Sequence, residues 1–318
     1  MNYSIEIDVN RIQEIANVIL KKVKIVPDKF TDELYYPSPK EDKEIVASYF
    51  FFMVAIDHRT SRNGKIYEAV IDGRKFHGAD LLYYLGKRKL DEDRDFFTAK
   101  RMTKITVEEV RNWLSISGKE PWGIELRTTL LRDAGLKLQL LYDGSVLKLL
   151  EESKGYLRST NSVIGLLDML RVFLAYSDPV EKKSYLLVKF LERRGLVKIR
   201  DLENLHVPVD NHLSRIAIRW GIVKLSENLL VKIQRQEAFT FDEDVMLRLF
   251  IRKAYKLLSE KVGVKPSILD DFLWNFGRKT CIRGTPFCIE CPLNEVCEAY
   301  TNRKLMVNEH YFVNTWYY

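Results

Sequence analysis

Nine helix-periodic apolar segments follow one another from residue 78 to residue 276, and they leave room for little but a helical fold. They run 78–90, 106–116, 124–152, 162–176, 180–194, 210–221, 226–233, 242–262 and 266–276. Thr106, followed three residues later by Glu109, opens one of them with a capping box, and Gly118, Gly195 and Gly263 stand where helices stop. Upstream, residues 49–76 read as extended. YFFFMVAI is a short aromatic-rich run, a turn falls at Arg62-Asn63-Gly64-Lys65, and IYEAVIDGRKF alternates around an Asp72-Gly73 hairpin signal. The expected fold is mainly α, a helical bundle with a small N-terminal β element. The expected domains are an N-terminal α+β lobe (1–77), a helical body (78–276), a cysteine loop (277–300) and an aromatic tail (301–318).

Charge narrows the partners only slightly. Fifty-one basic residues against 44 acidic ones give +7, but the two signs are interspersed, so a solvated mixed surface accounts for most of it. No run of 18 uncharged apolar residues exists to span a membrane. The opening MNYSIEIDVNRIQEIANVIL carries early acids and reads as a first helix, not a signal peptide. A cytoplasmic protein with no membrane partner is expected; oligomeric state leaves no mark.

All four cysteines crowd into 17 residues, as Cys281-x6-Cys288-x2-Cys291-x5-Cys297. Disulfides that stabilise a chain close large loops, so this spacing favours a reducing compartment and metal-binding thiolates. Zinc sites present two close Cys-x2-Cys pairs; here only the middle pair is close, and the outer gaps suit a ligand wider than one ion.

The stretch RKTCIRGTPFCIECPLNEVCEAY resembles the iron–sulfur loop of the endonuclease III family of DNA glycosylases. That resemblance implies a structural 4Fe-4S cluster on Cys281, Cys288, Cys291 and Cys297, with Arg278, Lys279 and Arg283 near a nucleic-acid phosphate or on a solvated rim. Upstream, HVPVDNHLSRIAIRWG resembles the segment of helix–hairpin–helix glycosylases in which an Asp enters a helix. By it Asp210 is the catalytic carboxylate, a role compatible with capping the helix at 210–221. In SDPVEKKSYLL, Lys183, beside Lys182, aligns with the Schiff-base lysine of the lyase members. The glycine-rich hairpin of those enzymes is replaced by Asp178-Pro179-Val180-Glu181, whose carboxylates and proline disfavour a duplex phosphate.

Residues from about 49 to 276 also resemble the queuosine salvage family, which frees a deazaguanine base from queuosine 5′-phosphate. The matching segments keep their order: YFFFMVAIDHR, the stretch DGRKFHGADLLYYLG through VEEVRNWL, LRTTLLRDAGLKLQLLYDGS, EKKSYLL, VPVDNHLSRIAIRWG and ILDDFLWNF. This places Asp57, His58 and Arg59 by the substrate, with Lys182, His212 and Trp274 as further contacts. The bland readings are a solvated turn for His58 and Arg59, a helix-end partner for His212, core for Trp274, and a plain basic helix face for Arg215 and Arg219. The leading expectation is an N-glycosidase releasing a modified purine or deazapurine from a nucleotide through Asp210. The rivals are a DNA or RNA base-excision glycosylase using Lys183, and a non-catalytic nucleic-acid-binding protein.

Overall fold

The computed structural model describes residues 4–62, 64–312 and 315–318. The chain opens on β1 (Ile5–Ile7) and α1 (Val9–Lys22), then α2 (Lys43–Ala55), the hairpin β2 (Glu68–Ile71) and β3 (Arg74–His77), and α3 (Ala79–Glu92). There follow α4 (Ala99–Lys104), α5 (Val107–Leu114), α6 (Ile124–Tyr142), α7 (Val146–Glu152), α8 (Leu166–Leu170) and α9 (Lys182–Arg193). After these come α10 (Asn211–Trp220), β4 (Val223–Leu225), α11 (Glu227–Gln234), α12 (Phe241–Val262), α13 (Pro266–Lys279) and the short α14 (Glu298–Thr301). No helix among the described residues is long and apolar enough to cross a membrane.

Two compact units divide the chain: the stretch up to Asp28 with Leu205–Thr315, and Lys29–Asn204 with Trp316–Tyr318. This cuts across the expected lobe at 1–77 and body at 78–276, for a non-local reason. On α1 the buried Ile12, Ile15, Ala16 and Ile19 recur at helical spacing and pack in one core with Leu247, Ile251 and Leu258 of α12. β1 pairs antiparallel with β4, Ile5 opposite Leu225 and Ile7 opposite Val223. The expected helix at 242–262 is α12, closed at its start by a Thr240–Glu243 capping box.

The other unit is built around α2, and here the extended reading of 49–56 is corrected. Every residue from Val46 to Ala55 is buried. A helix surrounded by protein needs no polar face, so its sequence shows an unbroken apolar run that mimics a buried strand. Phe50 stacks on Phe190 of α9 (centroids 4.7 Å apart), and Phe51 stacks on Tyr176 (5.3 Å). Each large apolar side chain buried here contributes about 1.5–3 kcal/mol.

The hairpin at Asp72-Gly73 forms with Ala69 opposite Phe76. At the other turn Arg62 bridges Lys65, while Asn63 lies outside the described residues. The expected helix 124–152 is two helices, because Asp143 (φ 52°) and Gly144 (φ 79°) are both left-handed. Glu44 of α2 then caps the new start, accepting from Val146 N (2.7 Å) and Leu147 N (3.0 Å). The segment 162–176 is likewise broken into α8 and a 3-10 turn at Leu174–Tyr176. On α6 a Cβ at Gly135 would stand 2.7 Å from Thr103 N and 2.8 Å from Ala99 O, so the close approach of α4 requires glycine.

Candidate functional site

The expected site residues fall in both units, and each group has its own geometry. In the unit that contains the cysteines, Asp210 is the N-cap of α10. Its backbone is extended (φ −112°, ψ −174°) and its Oδ1 accepts from Leu213 N at 2.8 Å. The residue is half-buried, and among the described residues Oδ2 has no partner. One oxygen is therefore used to fix the carboxylate and the other remains available.

His212, two residues on, lies against α13, where a Cβ on Gly277 would stand 2.2 Å from its Nε2. Burial pulls its pKa down to about 4, against the opposing pull of Asp210 and helped by Arg215, Arg278 and Arg219. The ring is neutral, and its buried Nε2 lacks a partner among the described residues.

Arg215 and Arg219 are not an exposed basic face: each is 1% exposed. Arg215 pairs with Glu309 through Nη1, and through Nη2 it donates to Gly277 O (2.8 Å) and Cys281 O (2.7 Å). Arg219 donates to Val307 O (2.8 Å), to Ile282 O (2.8 Å) and to Cys281 Sγ (3.4 Å). Both therefore hold the cysteine loop. A single helical turn separates them, so α10 presents two guanidinium groups to one loop.

The four cysteines are free thiols lining one small pocket, walled largely by Trp220, Phe276, Pro286, Phe287 and Met306. Burial pushes Cys291 up to about 11 and Cys297 up to about 12. Such thiols ionise only beside a positive centre. Arg219 Nη2 and Trp220 Nε1 line the same cavity as buried N–H donors without a partner among the described residues. No three His, Cys, Asp or Glu side chains there converge as ligands of one ion. Trp274 is 37% exposed with Arg278 stacked over it at 4.2 Å, so it is not core.

In the other unit the loop after α2 is held by three cations. Lys183 Nζ donates to Ala55 O (2.6 Å) and Lys182 Nζ to Asp57 O (3.1 Å). Arg127 Nη2 donates to His58 O (3.0 Å) and Arg59 O (3.3 Å), and its Nη1 to Trp122 O. Positive charge collects where the carbonyl end of a helix dipole lies.

His58 sits inside this set, 3% exposed, with Nε2 2.8 Å from Arg127 and Nδ1 3.4 Å from Lys183. Burial pushes both His58 and Lys183 well below their usual values, and the neighbouring cations add to it. With Arg127 donating to Nε2, the ring proton occupies Nδ1, which faces Lys183 Nζ. The expected substrate contact at His58 is thus an internal strut. Lys183 has the lowered pKa of a Schiff-base lysine but no exposed surface. Asp57 and Lys182 keep small exposed fractions, 15% and 9% of their side chains. Their charges are 3.9 Å apart, and Tyr83 OH donates to Asp57 Oδ2 at 3.3 Å. Arg59 is half-buried.

The carboxylates of the would-be hairpin turn inward. Asp178 accepts from Val180 N and Lys182 N, both at 3.0 Å. Glu181 is held left-handed (φ 62°) with its buried carboxylate between Arg158 and Arg171. Two salt-bridged arginines thus stabilise a strained residue directly before Lys182. Sequence reasoning missed Arg127 and Glu181. The one available signal was a charge at a core-facing position of α6, and for Glu181 there was none.

This arrangement lies on a glycosylase-type helical fold. The solved structure of a trapped endonuclease III–DNA covalent intermediate, an estranged-adenine complex, matches with a TM-score of 0.53. It is 15% identical and covers 94% of this chain and 99% of that one, a likeness that speaks for the fold alone. The family model described as queuosine salvage protein matches residues 37–287, and the chain belongs to that family. A Bos taurus relative, the queuosine 5′-phosphate N-glycosylase/hydrolase, is 24% identical over 319 aligned residues, 88% of this chain and 91% of its own length.

Proposed function

We propose that this chain hydrolyses the N-glycosidic bond of a nucleotide bearing a modified, queuosine-type base, with Asp210 as the catalytic carboxylate. The family match over residues 37–287 carries the reading. Cleavage of this bond builds positive charge on the sugar. A carboxylate fixed by Leu213 N, with its second oxygen unengaged, stabilises that charge and steers a water. Asp57 and Lys182 are the substrate contacts we retain; His58 and Lys183 hold the loop that carries Asp57.

We also assign a 4Fe-4S cluster to Cys281, Cys288, Cys291 and Cys297. Four thiols sharing one cavity, with Arg219 and Trp220 offering N–H groups to an anionic sulfide-bearing group, support this. When bound, the cluster supplies a covalent tie across the loop; Arg215 and Arg219 do the rest of the holding. A base-excision reading with Lys183 as nucleophile has less support, since that amine is fully enclosed.

The test offers anaerobically purified protein queuosine, queuosine 5′-phosphate, guanosine 5′-phosphate and lesion-bearing oligonucleotides, and reads released base by mass spectrometry. Release from the modified 5′-nucleotide alone is expected. Release only from oligonucleotides, or from none of the four, contradicts the proposal.

A further inference from the structure

The aromatic tail ends inside the unit that holds Asp57. Trp316–Tyr318 cluster with Lys29–Asn204, although the residues before them belong to the other unit. Trp316 Nε1 donates to Leu174 O at 2.9 Å, and Leu174 N in turn donates to Asp133 Oδ2 at 2.6 Å. Tyr318 is 5% exposed, and its carbonyl accepts the N–H of Arg59 at 3.2 Å.

That bond completes a pattern. After Ala55, up to Thr60, the loop has no regular partner strand or helix, yet each of its carbonyls is taken. Lys183 holds Ala55 O, Lys182 holds Asp57 O, and Arg127 holds His58 O and Arg59 O. Trp122 N donates to Thr60 O at 2.8 Å. The carbonyls are thus served by side chains and backbone of the same unit's helices and loops, while the Arg59 N–H is served by the tail. A backbone donor in so enclosed a loop is costly to leave unpaired.

We infer that Trp316–Tyr318 is a positioning segment: by taking the Arg59 N–H and locking onto Leu174, it fixes the Asp57–Arg59 loop for substrate binding and has no part in the bond-breaking step. The kinetic part of this inference rests on the proposed nucleotide hydrolysis; the structural part does not.

The experiment compares the full chain with a chain ending at Thr315 and with Trp316→Phe, which keeps the ring but removes the N–H. Hydrogen–deuterium exchange is read over residues 56–62, α2 and α12, and steady-state kinetics are measured on the nucleotide the full chain turns over. Shortening is expected to speed exchange in residues 56–62 while α2 and α12 stay protected. KM should rise about tenfold, the scale of one lost enclosed hydrogen bond, with kcat held within about twofold. Trp316→Phe should shift both readouts in the same direction by less. Unchanged exchange in residues 56–62, protection lost throughout the chain, or a fall in kcat at constant KM would each overturn the inference. Absence of turnover by the full chain would count against the hydrolase reading, and the exchange data would still decide the role of the tail.

Discussion

The loop that follows α2 and the loop that carries the cysteines both depend on fully buried cations, yet the two balance that charge in opposite ways. Around Cys281 the cations meet partners able to carry negative charge: Arg215 meets Glu309, and Arg219 meets a cysteine sulfur. Around His58 the partners are mostly backbone carbonyls, with the Asp57 carboxylate 3.9 Å from Lys182, and burial lowers the pKa of both Lys183 and His58. A buried positive group that finds an anion holds its proton; one that finds only dipoles tends to lose it. The first loop is therefore expected to be sensitive to loss of its anionic partners, and each unit to pH, through His212 in one and His58 in the other.

Arg219→Leu breaks the first arrangement most severely. It leaves Val307 O and Ile282 O without their donor and removes the guanidinium beside Cys281, at a cost of about 3 kcal/mol. Urea unfolding should record that loss, and if the proposed cluster is present its iron should fall with it. Wild-type iron content after Arg219→Leu would dissolve the contrast.

The pH dependence sharpens it. His212 has a folded pKa near 4 against an ordinary 6.5, so between those values the unfolded chain binds the proton that the folded chain refuses. Stability then rises with pH across that window, by on the order of 3 kcal/mol for a group so enclosed. His58 acts in the same sense, its folded value being depressed as well. Unfolding midpoints of His212→Gln and His58→Gln taken from pH 4 to 7 should each show a flatter slope than the parent.

Glu181→Gln removes the charge shared by Arg158 and Arg171. Because both arginines reach solvent, the expected loss is about 2 kcal/mol. Lys183→Met should be milder still, about 1–2 kcal/mol, since burial already disfavours the charged amine and the change loses chiefly the bond to Ala55 O. A larger loss from Lys183→Met than from Glu181→Gln would mean that Lys183 is charged in the folded protein.

Much of this was written in local sequence. Helices α3, α5 and α9 to α13, the Thr106–Glu109 capping box and the Asp72-Gly73 hairpin form where periodicity and turn chemistry place them. Local signals failed where tertiary contact decided the outcome. The enclosed helix α2 has no polar face to reveal its period, and the pairing of β1 with β4 spans the chain. His58 and Arg59 read as substrate contacts, or else as a solvated turn, because nothing nearby in sequence announces Arg127, which arrives from α6. Arg215 and Arg219 read as a solvated face for the same reason: the loop they grip begins some sixty residues later. Asp210 was legible as a helix cap, because an Asp directly before a helix-periodic run fits the N-cap position.

The most direct measurement concerns that carboxylate. Asp210→Asn keeps an N-cap acceptor for Leu213 N and changes only the charge. With queuosine 5′-phosphate as substrate and fold and iron content matched to the parent, its rate of base release is expected to fall by about a thousandfold. Base release at the parental rate would contradict the account.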